Sequence, residues 1–276
     1  MPSLPARGSE VRRLGLALPP QRMPLRAGTR PLKRWRYVGV YTDEVMLCVG
    51  EARVGPLPLR WWAVALPDGS LFERTTNSRG GVRMEGSRVS VNAEHVRIGL
   101  ELEEREGVQT ASAAGASYTW TRKQAGVPVR GSVTLGGRER RIDGPAGVID
   151  DSAGYHPHRT SWRWSAGVGR TDGGHAIGWN LVDGVHDAEG ASERSIWIDG
   201  EPRELGPTTF ADDLSHVSFT EGGGLRFTEW SAREDHTNLL VLRSDYRQPF
   251  GTFEGEVGGI RLTEGYGVME RHDVRW

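Results

Sequence analysis

The sequence has almost no cysteine. Cys48 is the only one among 276 residues, so neither a disulfide bond within the chain nor a cysteine-based zinc site can form. This scarcity favours a reducing compartment. The longest apolar runs fall far short of the roughly 18 residues that a membrane-spanning helix needs, and residues 1–24 lack the apolar core of a secretory signal. The sequence therefore predicts a cytoplasmic protein without a membrane span.

The chain also lacks an excess of either charge. Lys+Arg total 35 against 36 for Asp+Glu, so nothing attracts it generally to nucleic acid or to an anionic membrane. No window shows a convincing amphipathic helix, and no internal repeat is apparent by inspection, which argues against a propeller with repeated motifs. The motifs of phosphate-binding loops, serine hydrolases, zinc proteases and EF-hands are absent. The sequence gives no indication of the oligomeric state.

Glycine, by contrast, is abundant. The 38 glycines are roughly double an average share of about 7%, and without a collagen period they indicate many tight turns between short strands. Asp-Gly dipeptides, which favour hairpin turns, occur at Asp68-Gly69, Asp143-Gly144, Asp172-Gly173, Asp183-Gly184 and Asp199-Gly200. We expect an all-β chain with little helix.

Strand periodicity supports this fold class. Val96, Ile98, Leu100 and Leu102 alternate with polar residues, a period of two that is typical of a half-buried antiparallel strand. Two barrels or sandwiches in tandem fit the chain length, with domains at residues 35–143 and 144–276. Residues 1–34 form an arm that either touches a partner or is a poorly ordered or surface-wrapping terminus.

The stretch Asp150–Gly200 holds four of the ten tryptophans and four of the eight histidines. Its alternation predicts a meander of three antiparallel strands, in which Trp162 and Trp164 share one face. The two rings either contact a ligand or fill the core, since large aromatic residues serve both purposes. Trp179 and Asn180, on the next strand, are further candidates for ligand contacts.

The meander is preceded by a polar segment, Asp150–Thr160, which we interpret as non-strand sequence. A carboxylate of Asp150 or Asp151 near Tyr155 and Arg159 can be held in a chosen protonation state and can transfer a proton. The alternative is a polar loop between the two domains with Arg159 paired to an aspartate. His156 and His158 do not predict a metal site, because no spacing supplies the remaining ligands.

The last strand is a second candidate. Its alternation places Glu270 and His272 on the same face as Val268, Val274 and Trp276. A buried carboxylate and imidazole are costly unless they are paired, so they form either a catalytic pair or a structural hydrogen bond. We expect this strand and the ends of the central stretch to share one cavity, with the segment SDYRQPFG contributing Tyr246 and Gln248 as ligand contacts.

The segments GYHPHRTSWRWSAGVG, DGGHAIGWNLVDG, SDYRQPFGTFEGEV and EGYGVMERHDVRW resemble a bacterial family known only as a domain of unknown function. The resemblance covers roughly Pro31 to Trp276 and implies no settled activity. More distantly, this family is similar to the double-lipocalin enzymes, which include carotenoid hydratase and tocopherol cyclase. That similarity implies two lipocalin-like barrels side by side, a lipophilic ligand, and acidic or phenolic groups that move protons. The loop that contains Arg194 reads GASERS, where this similarity implies a Glu-Asn pair. The similarity therefore assigns no role to Glu193.

Our leading hypothesis is a cofactor-independent hydratase, isomerase or cyclase that acts on an isoprenoid-like or polyketide-like small molecule. Asp150 or Asp151 would be the acid, with Tyr155 and Arg159 shaping its pKa, and Glu270 with His272 a second acid–base pair. The ligand contacts would come from Trp162, Trp164, Trp179, Asn180, Tyr246 and Gln248. The indole rings of the three tryptophans could stabilise a carbocation. A non-catalytic binder of an apolar metabolite and a carbohydrate-binding or carbohydrate-modifying protein are the alternatives.

Overall fold

The computed structural model describes residues 3–78, 80–239 and 242–275. Within these ranges the only helix is the single turn α1 (Glu10–Arg13), and the other elements are all antiparallel strands. No helix of the described part is long and apolar enough to cross a membrane. The expected all-β fold with little helix is confirmed.

The N-terminal arm wraps over the first half of the molecule. It contains the short strands β1 (Ala6–Arg7), β2 (Arg26–Ala27) and β3 (Arg30–Pro31). Val11, Leu18 and Met23 are buried against Trp120 and Tyr155, and burial of this apolar surface holds the described part of the arm in place. The arm is therefore a surface-wrapping segment.

The first half is a curled antiparallel sheet. Its main strands are β4 (Lys33–Tyr41), β5 (Met46–Val54), β6 (Leu57–Ala65), β7 (Leu71–Thr76), β8 (Val82–Glu85), β9 (Arg88–Asn92), β10 (Val96–Leu102), β11 (Val108–Ala114), β12 (Ser117–Leu135) and β13 (Arg138–Gly154). The spatial order is β7-β6-β5-β4-β13-β12-β10-β9-β8, and β11 joins β12 and β1. A four-strand meander thus leads outward, and the last strand returns to pair with the first.

The second half repeats this arrangement. Its strands are β14 (Arg159–Thr171), β15 (Ala176–Asp183), β16 (Ser195–Ile198), β17 (Glu201–Glu204), β18 (Thr208–Phe210), β19 (His216–Phe219), β20 (Gly224–Leu239), β21 (Leu242–Val257) and β22 (Ile260–Arg275). The spatial order is β17-β16-β15-β14-β22-β21-β20-β19-β18. Again a four-strand meander leads outward and the last strand pairs with the first, so the chain forms two tandem lipocalin-like barrels of the same topology.

Three apolar layers follow from the alternation of side chains along these strands. In β5, Leu47 and Val49 enter the core of the first half, whereas Met46 and Cys48 enter a layer between the halves. The second half has its own core around Trp179 and its aliphatic neighbours. Because central strands are buried on both faces, they read as almost continuous apolar runs.

Most local sequence predictions are confirmed. The strand β10 alternates strictly between buried and exposed residues, and β14, β15 and β16 form the predicted meander. Two expectations are wrong: Asp143-Gly144 lies inside β13, and Asp150–Gly154 are strand residues of β13 and not a loop. The long pairing of β13 with β12 outweighs these local turn signals. The chain passes between the sheets at residues 155–158, and the predicted boundary at 143/144 falls within β13.

Candidate acid–base site between the two barrels

The two halves present equivalent polar residues to the layer between them. In the first half, Asp150 of β13 lies opposite Tyr37 of β4, two residue pairs from Trp35. In the second, Glu270 of β22 lies opposite Trp164 of β14. In each half, the indole nitrogen of the first strand's leading tryptophan donates to the carboxylate of the last strand. The layer therefore contains two related carboxylate positions.

Glu270 is held by neutral donors. Its Oε1 accepts from Trp162 Nε1 at 2.7 Å, and its Oε2 accepts from Gln248 Nε2 at 2.8 Å. The residue is 9% exposed. Burial raises the pKa of Glu270 to about 7, against the effect of the donors Trp162, Tyr246 and Gln248 and with the help of the charge on Asp150. Glu270 can therefore give up or take a proton near neutral pH.

Asp150 has a charged partner instead. Its Oδ1 lies 2.7 Å from Lys123 Nζ, and its Oδ2 accepts from Trp35 Nε1 at 3.3 Å. Lys123 also lies 3.2 Å from Oε1 of Glu193. Burial raises the pKa of Asp150, Lys123 lowers it, and Glu193 raises it. The second carboxyl group is thus tied to a buried network of two carboxylates and one ammonium group.

Aromatic rings join the two positions. Trp35 and Trp162 stack, with ring centroids 6.4 Å apart and an interplanar angle of 9°. Tyr37 meets Trp164 edge to face at 5.5 Å. These contacts pair residues at equivalent positions of the two halves, so the halves are related by an approximate two-fold arrangement around the site. Asn180 belongs to the same layer, where its Oδ1 accepts from Trp164 Nε1 at 2.8 Å.

His272 and Tyr246 stand at the margin of this layer. His272 packs edge to face on Trp162 at 4.5 Å and on Tyr246 at 5.1 Å, and its Nε2 contacts Ser244 Oγ at 2.9 Å. Burial lowers the pKa of His272 to about 4, so the ring is neutral at neutral pH. Together with Trp35, these rings are only half-buried and form an aromatic margin beside Glu270.

Four sequence candidates lie elsewhere. Asp151 points to the opposite face of β13, where it pairs with Arg36 at 2.9 Å and Arg122 at 2.6 Å. The hydroxyl of Tyr155 donates to the carbonyl of Pro24 in the arm, and Arg159 is exposed. Trp179 packs in the core of the second half against Phe253. Alternation along the strands separates Asp151 and Trp179 from their neighbours Asp150 and Asn180. Trp276 falls outside the described residues.

Sequence reasoning missed Trp35, Lys123, Glu193 and His186. Short segments that match between the two halves, here called echoes, could have indicated Trp35 and Lys123. Trp35-Arg36-Tyr37 matches Trp162-Arg163-Trp164, Gly147-Val148-Ile149-Asp150 matches Gly267-Val268-Met269-Glu270, and Arg122-Lys123 matches Arg247-Gln248. Each echo occupies the same strand position in its half. The echoes are only two to four residues long and lie scattered along the chain, so inspection for a repeat does not find them.

The expected cavity shared by Asp150 and Glu270 is not among the hollows that the structure shows most clearly. One hollow of about 340 Å³ lies between the arm and the first half, beside Leu16 and Tyr118. A second one, of about 490 Å³, lies over Arg88 and Gly99. Neither is lined by Asp150 or Glu270. Among the described residues, no group of three or more histidine, cysteine or acidic side chains is arranged to hold a metal ion.

A family model described as a domain of unknown function, DUF2804, matches residues 70–276. The chain belongs to this family. No curated protein matches the chain by sequence. The match confirms the family that the sequence resemblance indicated, and it covers Lys123, Asp150 and Glu270 but not Trp35.

Solved structures support the fold. A Nitrosomonas europaea protein described as an AttH is 14% identical, with a TM-score of 0.55 over 93% of this chain and 98% of that one. Kievitone hydratase from Nectria haematococca is 12% identical, with a TM-score of 0.48 over 88% of each chain. CghA is 10% identical, with a TM-score of 0.42 over 95% of each chain. The first similarity shows a shared fold, while the other two scores are too low to support an argument.

Proposed function

We propose that this protein is a cofactor-independent acid–base enzyme of the hydratase, isomerase or cyclase type, acting on a lipophilic small molecule such as an isoprenoid or polyketide. The observation that supports this most is the environment of Glu270: a buried carboxyl group with a pKa of about 7, held by Trp162 and Gln248 among aromatic rings. An acid with a pKa near the working pH is suited to proton transfer.

Glu270 is the proton donor in this proposal. Its protonated form delivers a proton to a double bond or carbonyl of the ligand, and the resulting carboxylate later takes a proton back. Trp162, Gln248 and Tyr246 stabilise that carboxylate, since each opposes the effect of burial on its pKa. Asp150 is held by the ammonium group of Lys123 at 2.7 Å and supplies the negative charge on the other side of the layer.

The ligand is lipophilic because aromatic rings surround the acid. Trp35, Trp162, Tyr246 and His272 are half-buried beside Glu270, so a ligand that displaced solvent from this margin would bury their exposed ring surface. Indole faces also stabilise positive charge, which suits a carbocation formed by protonation of an alkene. Because Glu270 is only 9% exposed, access of a ligand to its carboxyl group requires a rearrangement of these marginal rings.

A non-catalytic binder is the second candidate. Both oxygens of Glu270 already accept hydrogen bonds at 2.7 and 2.8 Å, and the Trp35–Trp162 stack covers one side of the layer. Such complete pairing is also what a purely structural buried carboxyl group requires. Retention of a ligand without turnover would favour this reading.

The test begins with native mass spectrometry of protein purified from its own host, to identify a retained ligand. The recovered compound is then incubated with the protein in deuterium oxide, and uptake of deuterium into carbon–hydrogen bonds is followed by mass spectrometry. We expect uptake with the wild type and a loss of at least about a hundredfold in Glu270→Gln. Glu264→Gln, an exposed glutamate on the same strand, is the matched control and should behave as the wild type. A bound compound that is returned without deuterium would exclude the enzyme and leave the binder.

A further inference from the structure

His186 lies in the connection between β15 and β16, next to the polar network of Lys123. It is 7% exposed, and its φ of +49° is a left-handed conformation that non-glycine residues adopt only at some cost. The connection is clamped by Arg194, which donates to the carbonyls of Asp187 at 2.8 Å and Ala188 at 2.6 Å. The guanidinium of Arg7 in the arm also donates to the carbonyl of Ser192. His186 is therefore held in one place from two sides.

A chain of hydrogen bonds favours one of the two ring nitrogens of His186 as the one that carries the proton. Glu193 Oε2 accepts from Thr121 Oγ1 at 2.8 Å. The hydroxyl proton of Thr121 is thereby used, so Thr110 must donate across the 2.7 Å contact to Thr121. Thr110 Oγ1, 3.3 Å from His186 Nδ1, can then only accept from the ring. The Thr110 contact thus favours a proton on Nδ1, which Ser112 Oγ at 2.9 Å can also accept.

The other ring nitrogen is then a lone-pair acceptor. Burial lowers the pKa of His186 to about 3, with Lys123 lowering it further, so the ring is neutral and Nε2 is unprotonated. His186 Nε2 is buried and has no hydrogen-bond partner among the described residues. A buried acceptor without a partner is costly, and a ligand or an ordered water is the usual explanation.

A second buried polar group lies near this hydrogen-bond chain. Ser152 Oγ is also buried without a hydrogen-bond partner in the described part of the chain. Ser152 lies directly opposite Thr121 in the sheet, and Thr121 belongs to the hydrogen-bond chain that ends at His186. The charge of Asp150 acts on both His186 and Glu270. Ser152 is therefore a neighbour of the hydrogen-bond chain that holds His186.

We infer that His186 Nε2, with Ser152, forms a subsite that accepts a hydrogen bond from an O–H donor, either the hydroxyl group of a lipophilic ligand or a water molecule. This inference rests on the proposed function and refines its substrate class, because it requires a hydroxyl group on the ligand or water as its co-reactant. The hydroxyl of Ser152 can accept from or donate to the same group.

The first test is independent of any ligand. Protein labelled with ¹⁵N-histidine is examined by NMR, with His186→Asn used to assign the signal, since asparagine tolerates a positive φ. We expect the Nδ1–H tautomer. An Nε2–H tautomer overturns the inference, because Nε2 would then be a donor. Should His186→Asn fail to fold, Ser112→Ala assigns the same ring by shifting its Nδ1 signal.

The second test distinguishes the two O–H sources. The labelled protein is titrated with 1-decanol and with its methyl ether, and the His186 Nε2 shift and the affinity are measured. A hydroxyl subsite predicts binding of the alcohol at least about tenfold tighter than the ether, with an Nε2 shift for the alcohol alone. A water subsite predicts equal binding and a nuclear Overhauser contact between the His186 ring and water. Absence of both the alcohol preference and the water contact contradicts the inference.

Glu270→Gln separates this inference from the proposed function. The subsite does not contain Glu270, so the tautomer and the response to 1-decanol should persist in this variant while deuterium uptake is lost. If deuterium uptake depends on Glu270 but His186 is in the Nε2–H tautomer, the subsite inference is rejected and the proposed enzyme function stands. An intact subsite in a protein without uptake would retain the binding inference and reject catalysis.

Discussion

The two halves of this protein share a topology and a carboxylate position, and they differ in how each carboxylate is neutralised. In the first half Lys123 supplies a positive charge 2.7 Å from Asp150. In the second, Gln248 stands at the equivalent place and donates a neutral hydrogen bond to Glu270 at 2.8 Å. A buried carboxyl group without a cation is more easily held protonated. The comparison teaches that one change of partner, ammonium to amide, is enough to separate a charge-bearing position from a proton-donating one.

Removing Lys123 should break the comparison most severely. Lys123→Met leaves Asp150 and Glu193 buried without a cation, and we expect a loss of about 3–5 kcal/mol in the free energy of unfolding, measured by urea denaturation. Gln248→Met is the matched change in the second half and should cost about 1–2 kcal/mol. Equal losses would show that the two positions are not electrostatically distinct. The triple variant K123M/D150N/E193Q should recover much of the loss.

Glu270→Gln should change how stability depends on pH. The folded-state pKa of about 7 lies above the ordinary glutamate pKa of 4.5, so ionisation costs the wild type stability as pH rises between these values. The difference corresponds to roughly 3 kcal/mol. Relative to the wild type, Glu270→Gln should therefore be more stable at pH 8 than at pH 4 by about that amount. Parallel stability curves from pH 4 to 8 would refute the assignment.

His272→Ser sharpens the comparison, because serine is what the first half carries at the equivalent Ser152. The pKa of His272 is lowered to about 4 from 6.5, so its contribution is present above pH 6.5 and is lost as pH falls toward 4. We expect the variant to lose less stability over this window, by on the order of 1 kcal/mol after screening. The pKa values of His156 and His186 also lie low, at about 3. The stability of the variant should therefore still fall as the pH is lowered. Identical acid titrations of variant and wild type would contradict the prediction.

The two tryptophan hydrogen bonds give the smallest expected effect. Trp162→Phe removes a donor 2.7 Å from Glu270, whereas Trp35→Phe removes one 3.3 Å from Asp150. Phenylalanine keeps most of the apolar contact, so we expect losses of about 1–2 and below about 1 kcal/mol respectively. Trp162→Phe should also raise the pKa of Glu270, which ¹³C NMR of the carboxyl group measures. A lowered pKa would show that the indole does not support the carboxylate.

Sequence patterns predicted the elements that depend on near neighbours. The alternation in β10 predicted a half-buried strand. The alternation in the last strand placed Glu270 and His272 on one face with Val268, and the structure agrees. The same logic could not place Asp150, because its segment carries loop-like residues that become strand only through pairing with β12 and β4. Tyr155 and Arg159, close to Asp150 in sequence, lie apart from it since one faces the arm and the other solvent.

The sequence by itself determined the fold class, the strand-rich halves and the inward face of the last strand, because a period of two needs only adjacent residues and apolar burial. Tertiary structure alone decided which polar groups meet. Lys123 and Asp150 come together through strand register, and Trp35 and Trp162 through packing of one half on the other. Glu270 depends on strand register for its neutral partners and on the packing of the two halves for its burial. Its pKa is therefore a property of the layer between the halves and not of any local motif.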